Sequence, residues 1–263
     1  WHRETSTKLY FLNFIEGISF YSHMALEYRL PSDTSSFVEI INPQNCTWDL
    51  RELYFTWHLS NGEIRLGKQI HSWGSVDANS PLDNLNANDY YYMFSIGSEQ
   101  KMGSYSIAAD YYVDDWKFGL FFSPFHHASR LPISDSQFPM KLPANPTSKQ
   151  ILDVTDPIEY AADITKSFDK GDITFSYFNG YDRVFSPLGF NLWDGEGFPG
   201  DRIKIDTIYT YRKTEVLGLG SVAFLGDLTL RGDIAYFTTK DRQINLLELE
   251  YLGNDMMEYF KEH

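Results

Sequence analysis

The stretch "DLRELYFTWHLSNGEIRLGKQIHSWG", Asp49 to Gly74, decides the fold. In its first half Leu53, Phe55, Trp57 and Leu59 share one parity, and Glu52, Tyr54, Thr56 and His58 share the other. A strand turns successive side chains to opposite faces, so this period of two gives one apolar and one polar face. The pair Asn61-Gly62 follows, and it tolerates the positive φ values of a tight hairpin. Ile64, Leu66 and Ile70 then alternate with Glu63, Arg65, Gln69 and His71.

The unit recurs along the chain. Tyr105, Ile107, Ala109 and Tyr111 alternate with Ser104, Ser106, Ala108 and Asp110, and beyond Asp114-Asp115 the residues Phe118, Leu120 and Phe122 alternate with Lys117, Gly119 and Phe121. Similar pairs of runs flank Glu16-Gly17, Lys170-Gly171 and Gly226-Asp227. Between these hairpins lie long polar connections such as "GSVDANSPLDNLNAND" and "HHASRLPISDSQFPMKLPANPTSKQ". Short turns at one end and long loops at the other is the layout of a bacterial outer-membrane barrel. Strands of about ten residues also match what a tilted strand needs to cross a bilayer. Lipid offers no hydrogen-bond partner, so a spanning sheet must close on itself, apolar outside and polar within.

Composition agrees. The 263 residues carry a formal net charge of -14, which argues against nucleic-acid binding. Aromatic residues make up 17 % of the chain, with 18 Tyr, 20 Phe and 6 Trp, as interfacial belts would require. The single cysteine, Cys46, excludes a disulfide within the chain and a multi-cysteine zinc site. It sits in an Asn45-Cys46-Thr47 glycosylation sequon, which nothing else in the sequence supports. No run of about 18 apolar residues provides a transmembrane helix.

The expected fold is therefore all-β, an antiparallel transmembrane β-barrel with about ten strands, short periplasmic turns and long extracellular loops, forming one domain over 1–263. The first strand is expected near Thr5–Phe14 and the last near Leu228–Thr239, followed by a stretch able to form a short helix before His263. Both ends would then lie on the extracellular side, which predicts an internal fragment of a larger barrel. The opening "WHRETSTKLY" has no initiator Met or signal peptide and reads as processed or excerpted.

Within this frame, residues 41–91 resemble a large group of uncharacterised outer-membrane β-barrel proteins of the porin superfamily. The resemblance rests on Leu50-Arg51-Glu52, Leu66-Gly67-Lys68-Gln69, Trp73-Gly74, Asp77 and Asn86, with "LGDLTLRGDIAYF" (Leu225–Phe237) as a second recurring strand. It covers about 40 residues well and the rest by layout only. It implies a channel or importer for small solutes.

The residues expected to line the pore are Glu52, Glu63, Arg65, Gln69, His71, Asp110, Lys117, Glu159, Asp163, Arg231 and Asp233, with Glu27 and Arg29 near the start. They would bias which ions pass, or form cross-strand pairs that keep the interior wet. Lys68 has the parity of the apolar face. A bulge at Gly67 or an inward-folded loop is the preferred account, and snorkelling at a rim the other. Trp73 reads as part of an aromatic girdle or a loop base rather than, with His71, a ligand platform. His126 and His127 are adjacent and so point apart, which disfavours a shared metal. The oxygens of "DANSPLDNLNAND" and "WDGEGFPGD" lack the spacing of a calcium loop. His71, Asp77, His126 and Asp182 are joined by no catalytic motif. The expected function is passage of small solutes by diffusion, without catalytic residues, metal or cofactor. Expected partners are outer-membrane lipid, small solutes or ions, and further copies of the chain. A surface binding or structural role through the long loops is the alternative. The loops at 74–100 and 124–156 are the candidates to fold inward.

Overall fold

A computed structural model describes residues 2–29, 46–76, 80–92, 100–133, 146, 150–193, 204–242 and 256–261. Fourteen strands are numbered in chain order: β1 (His2–Ile15), β2 (Ile18–Arg29), β3 (Cys46–Leu59), β4 (Gly62–Gln69), β5 (Ser104–Val113), β6 (Trp116–Ser123), β7 (Ile151–Leu152), β8 (Glu159–Phe168), β9 (Gly171–Tyr181), β10 (Ser186–Trp193), β11 (Lys204–Thr210), β12 (Lys213–Leu225), β13 (Leu228–Lys240) and β14 (Met256–Lys261). Ten of them form one antiparallel meander in the order β1-β2-β3-β4-β5-β6-β8-β9-β12-β13. The expected all-β class and the large antiparallel sheet are thus present. Among the described residues no pairing joins β1 to β13.

The five hairpins fall where Gly and Asp punctuate the pattern. Positive φ values at Gly17 (76°), Asp114 (48°) and Gly226 (64°) make three of the reversals. Two turns lie one residue earlier than the sequence suggested, at Ser60-Asn61 and Asp169-Lys170, because Gly62 and Gly171 already open β4 and β9. The four connections at the opposite end are long, and parts of two of them, together with β14 beyond β13, build a second sheet, β14-β10-β11-β7. That sheet was not foreseen. Met256–Lys261, part of the terminal stretch read as able to form a short helix, pairs with β10 instead.

The alternation read from the sequence becomes two surfaces. Along one hydrogen-bonded row Leu59, Gly62, Tyr111, Phe118, Ile164, Phe175, Leu219 and Ile234 are successive partners. The side chains of Leu59, Tyr111, Phe118, Ile164, Phe175, Leu219 and Ile234 in this row are 39–71 % exposed. Three residues along each strand, Arg65, Ala108, Phe121, Ala161, Phe178 and Val216 form a row of the opposite parity. Phe121, Ala161, Phe178 and Val216 are buried there around Leu85 of the β4–β5 connection, with Trp73 and Ala235 packed alongside.

That contact fixes the curvature. The backbone N–H groups of Ser75 and Val76 reach the Asp233 carboxylate at 2.8 Å and 3.2 Å. Asp233 lies on β13, six strand intervals from β4. A flat sheet would separate these strands by about 29 Å. The six residues from Gln69 to Ser75 span about 21 Å at full stretch, and their bends shorten this. The sheet therefore curls strongly, with the β4–β5 connection on its concave face and the exposed apolar rows on its convex face. Of the two loops named as candidates to fold inward, the described part of the first lies against the concave face.

Lys68 corrects an expectation. β4 keeps unbroken register with both neighbours from Gly62 to Lys68, so no bulge turns Lys68 inward. Its partners Leu53 and Tyr105 carry the convex parity, and its ammonium reaches back to the Leu50 carbonyl and to Asp49 at 3.9 Å. The flexible stem carries the charge to polar groups near the strand end. The bulge lies in β3, where the β2–β3 register shifts at Arg51. Arg51 is buried and stacks 5.1 Å from the Tyr92 ring.

Candidate functional site: a charged wall beneath a clamped loop

On the concave wall, from the buried Phe121 row toward the tight turns, five charges alternate in sign. Glu63 and Arg65 on β4 are 3.4 Å apart, and Arg65 meets Asp110 of β5 at 3.1 Å. Lys117 of β6 meets Asp110 at 3.0 Å and Asp163 of β8 at 3.8 Å. All five residues were expected to face the pore. Glu63 and Asp110 are direct register partners, a repulsive arrangement, and Arg65 relieves it diagonally. Gly119 pairs with both Asp110 and Asp163. A Cβ there would stand 1.9 Å from Asp163 Oδ1, so only glycine leaves room for both carboxylates to converge on Lys117.

A cavity of about 170 Å³ opens in front of this wall, between Arg65, Asp110, Lys117 and Asp163 on one side and Ile70–Trp73 on the other. Arg65 and Lys117 retain a quarter to a third of their side-chain exposure, 24 % and 34 %. The wall is therefore paired and wet at once. It can orient water and attract small ions, and its pairs exchange with solvent more readily than buried ones.

The connection opposite is fixed at its base, at its far side and at an arginine between them. Glu52 accepts the Ile70 N–H at 2.9 Å. Asn86 staples the loop base: its Oδ1 accepts the His71 N–H at 2.7 Å, and its amide donates to the Gln69 and Met102 carbonyls at 3.2 Å and 2.8 Å. At the far side Asp233 accepts from Ser75 and Val76 and from the Ser80 hydroxyl at 2.7 Å. Leu82 sits over Gly218, where a Cβ would be 2.3 Å from its methyl.

The third anchor is Arg183, which the sequence reading did not single out. Its guanidinium pairs with Glu159 at 2.8 Å and donates to the Asn84 and Leu85 carbonyls at 2.9 Å and 3.0 Å. It also reaches the His127 carbonyl at 3.3 Å, while His126 meets Glu159 at 3.1 Å. One buried ion pair thus ties the β4–β5 and β6–β8 connections to the start of β8. The only signal in the sequence is a charged pair, Asp182-Arg183, directly after β9.

The remaining expected residues separate by burial. Gln69 and Glu159 have no solvent exposure, and Gln69 donates to the Ser106 carbonyl at 3.0 Å. His71 is buried edge-on against Phe121, with ring centres 5.0 Å apart, and its Nε2 lies 3.3 Å from the Ser106 hydroxyl. Burial and the nearby Arg65 push its pKa down to about 3, so the ring is neutral. Arg231 is exposed near the β12–β13 turn. The side chains of Glu27 and Arg29, and Asp77 entirely, lie outside the described residues. Asp182 pairs with Arg212 at 3.1 Å and accepts from the Thr214 hydroxyl. Among the described residues no three metal-ligating side chains converge. No protein-family model matches the chain, and no curated protein matches its sequence.

Proposed function

We propose that the curled sheet is the wall of a transmembrane β-barrel of a bacterial outer membrane, and that it passes small solutes or ions by diffusion. The carrying observation is the convex face. Large apolar side chains such as Leu66 (56 % exposed), Leu120 (62 %), Phe175 (62 %) and Leu217 (57 %) continue from strand to strand. Nine intervals of the sheet extend about 43 Å around. Soluble monomers rarely expose contiguous apolar patches above roughly 300–600 Å². Lipid is the solvent that this surface fits, and membership of the porin superfamily, expected from the resemblance, belongs to the same reading.

In this reading the β4–β5 connection narrows the interior, and the alternating charges from Glu63 to Asp163 form one side of the constriction. No bond is made or broken in the transport step. Selectivity comes from width and from the field of the paired charges. The test is reconstitution of the full chain into a planar bilayer. Discrete conductance steps are expected. A chain that inserts into vesicles with its strand content intact but never conducts would overturn the channel reading. It would leave the surface-binding role, which the second sheet of the long connections favours.

A further inference from the structure

At the long-connection end of β9, β12 and β13 a second cavity, of about 370 Å³, is lined by Tyr181, Tyr211, Lys213, Lys240 and Arg242 among others. Tyr181, Lys213 and Lys240 form one hydrogen-bonded row. Two lysines thus stand directly opposite each other on neighbouring strands, which is destabilising unless an anion lies between them. Their existing relief is slight. Lys240 pairs with Glu215 at 3.4 Å, but the two side chains are 66 % and 36 % exposed, where such pairs contribute little. Lys213 lies 4.8 Å above the Tyr181 ring, and Arg242 donates to the Asp153 carbonyl at 2.8 Å, so both cations are held at the cavity. Among the described lining residues Asp241 is the one acid, and Asp153 and Asp156 stand near Tyr211 and Tyr181. Lys213, Lys240 and Arg242 are the cations of the described lining.

Its place on the sheet indicates the ligand. Lys213, Glu215, Leu217 and Leu219 share one parity, so the lysine stands above the convex apolar face, about 13 Å along the strand from Leu217. A ligand seated there meets cations at one end and the apolar rows Tyr177–Leu217–Tyr236 and Phe175–Leu219–Ile234 at the other. We propose that this cavity binds the phosphate headgroup of a membrane lipid whose acyl chains lie along β9, β12 and β13. The inference rests on the membrane reading given above, because only a bilayer supplies such an amphiphile in that orientation.

The test uses the full chain in vesicles of phosphatidylcholine, with and without a minority of phosphatidic acid, followed by extraction into neutral detergent and native mass spectrometry. Wild-type protein is expected to retain phosphatidic acid. Lys213→Ala/Lys240→Ala should retain about 25-fold less, about fivefold for each lysine facing an anionic headgroup. Lys213→Arg/Lys240→Arg should restore retention, and strand content by circular dichroism separates lost binding from lost folding. Equal retention by wild type and the folded double-alanine variant would overturn the site. Full displacement by inorganic phosphate alone would overturn the lipid as its occupant. Failure to enter vesicles of either composition would instead overturn the membrane reading itself.

Discussion

Arg65 and Arg183 each pair with a carboxylate on the concave side, at 3.1 Å and 2.8 Å, yet their surroundings set them different tasks. Arg65 projects from a regular strand into a cavity, and its neighbours offer alternate charges on both sides. Arg183 lies in a connection, against a Glu159 with no exposure, and spends its other donors on three backbone carbonyls. The first pair belongs to a surface that solvent can rearrange. The second pair is structural glue, since removing one buried partner strands the other. The same ion-pair chemistry therefore yields a tunable wall in one place and a fixed clamp in the other.

The sharpest way to break this contrast is Arg183→Ala. It leaves Glu159 buried without its cation and frees the Asn84 and Leu85 carbonyls, at a cost of about 3–5 kcal/mol. The urea midpoint of the folded protein should fall, and the segment around Asn84–Leu85 should become sensitive to protease. An unchanged midpoint and cleavage pattern would show that Arg183 clamps nothing. Asp233→Ala attacks the far anchor of the same connection. It removes a charged acceptor from two N–H groups and one hydroxyl, and should cost about 2 kcal/mol, because the carboxylate remains partly exposed. Asp233→Asn should recover part of this; if alanine and asparagine behave alike, the cradle is not what holds the loop.

These anchors also mark the boundary of what the sequence made legible. The ten-strand meander follows from period-two alternation, a signal that each strand repeats for itself. The alternating wall was legible for the same reason: Glu63, Arg65, Asp110, Lys117 and Asp163 all sit at concave parity. Parity says which side a residue faces, however, and not what covers that side. Glu159 and Gln69 were expected to meet water and are buried, because Arg183 and His126 of later connections close on the first and Asn86 of the β4–β5 connection lies against the second. Connections have no period, and the bonds from Arg183 to Asn84 join residues 99 apart in sequence. Lys68 failed differently. Its parity was read correctly, but a long flexible stem let the charge leave the convex face without any bulge.

A smaller effect separates the two regions by pH. His71 sits in the connection where the clamped loop meets the wall, and its pKa is held down near about 3 against an ordinary 6.5. A folded pKa below the unfolded one means that the unfolded chain takes up the proton first. The stability contribution is therefore complete above pH 6.5 and is lost as pH falls toward 3. At pH 5.5 the loss should be about 1 kcal/mol. Comparing urea midpoints at neutral pH and pH 5.5 for wild type and His71→Asn isolates it. If both lose the same stability on acidification, the buried neutral imidazole is not the cause.

Lys117→Met probes the wall alone and should disturb the fold least. The five charges from Glu63 to Asp163 sum to one negative charge, and the substitution makes that two while keeping most of the side-chain volume. Asp110 and Asp163 lose the cation they share, but Arg65 still holds Asp110 at 3.1 Å, so the wall keeps its shape. An ion passing about 7 Å away through water gains or loses about 0.6 kcal/mol for one unit charge, about threefold in relative permeability toward cations. The reversal potential across a salt gradient reads this directly, and Lys117→Arg should leave it where wild type has it. High salt on both sides should shrink the shift, since the pair is partly exposed to mobile ions. A reversal potential indifferent to Lys117→Met would place the ion path elsewhere and leave the paired wall a purely structural counterpart of the clamp.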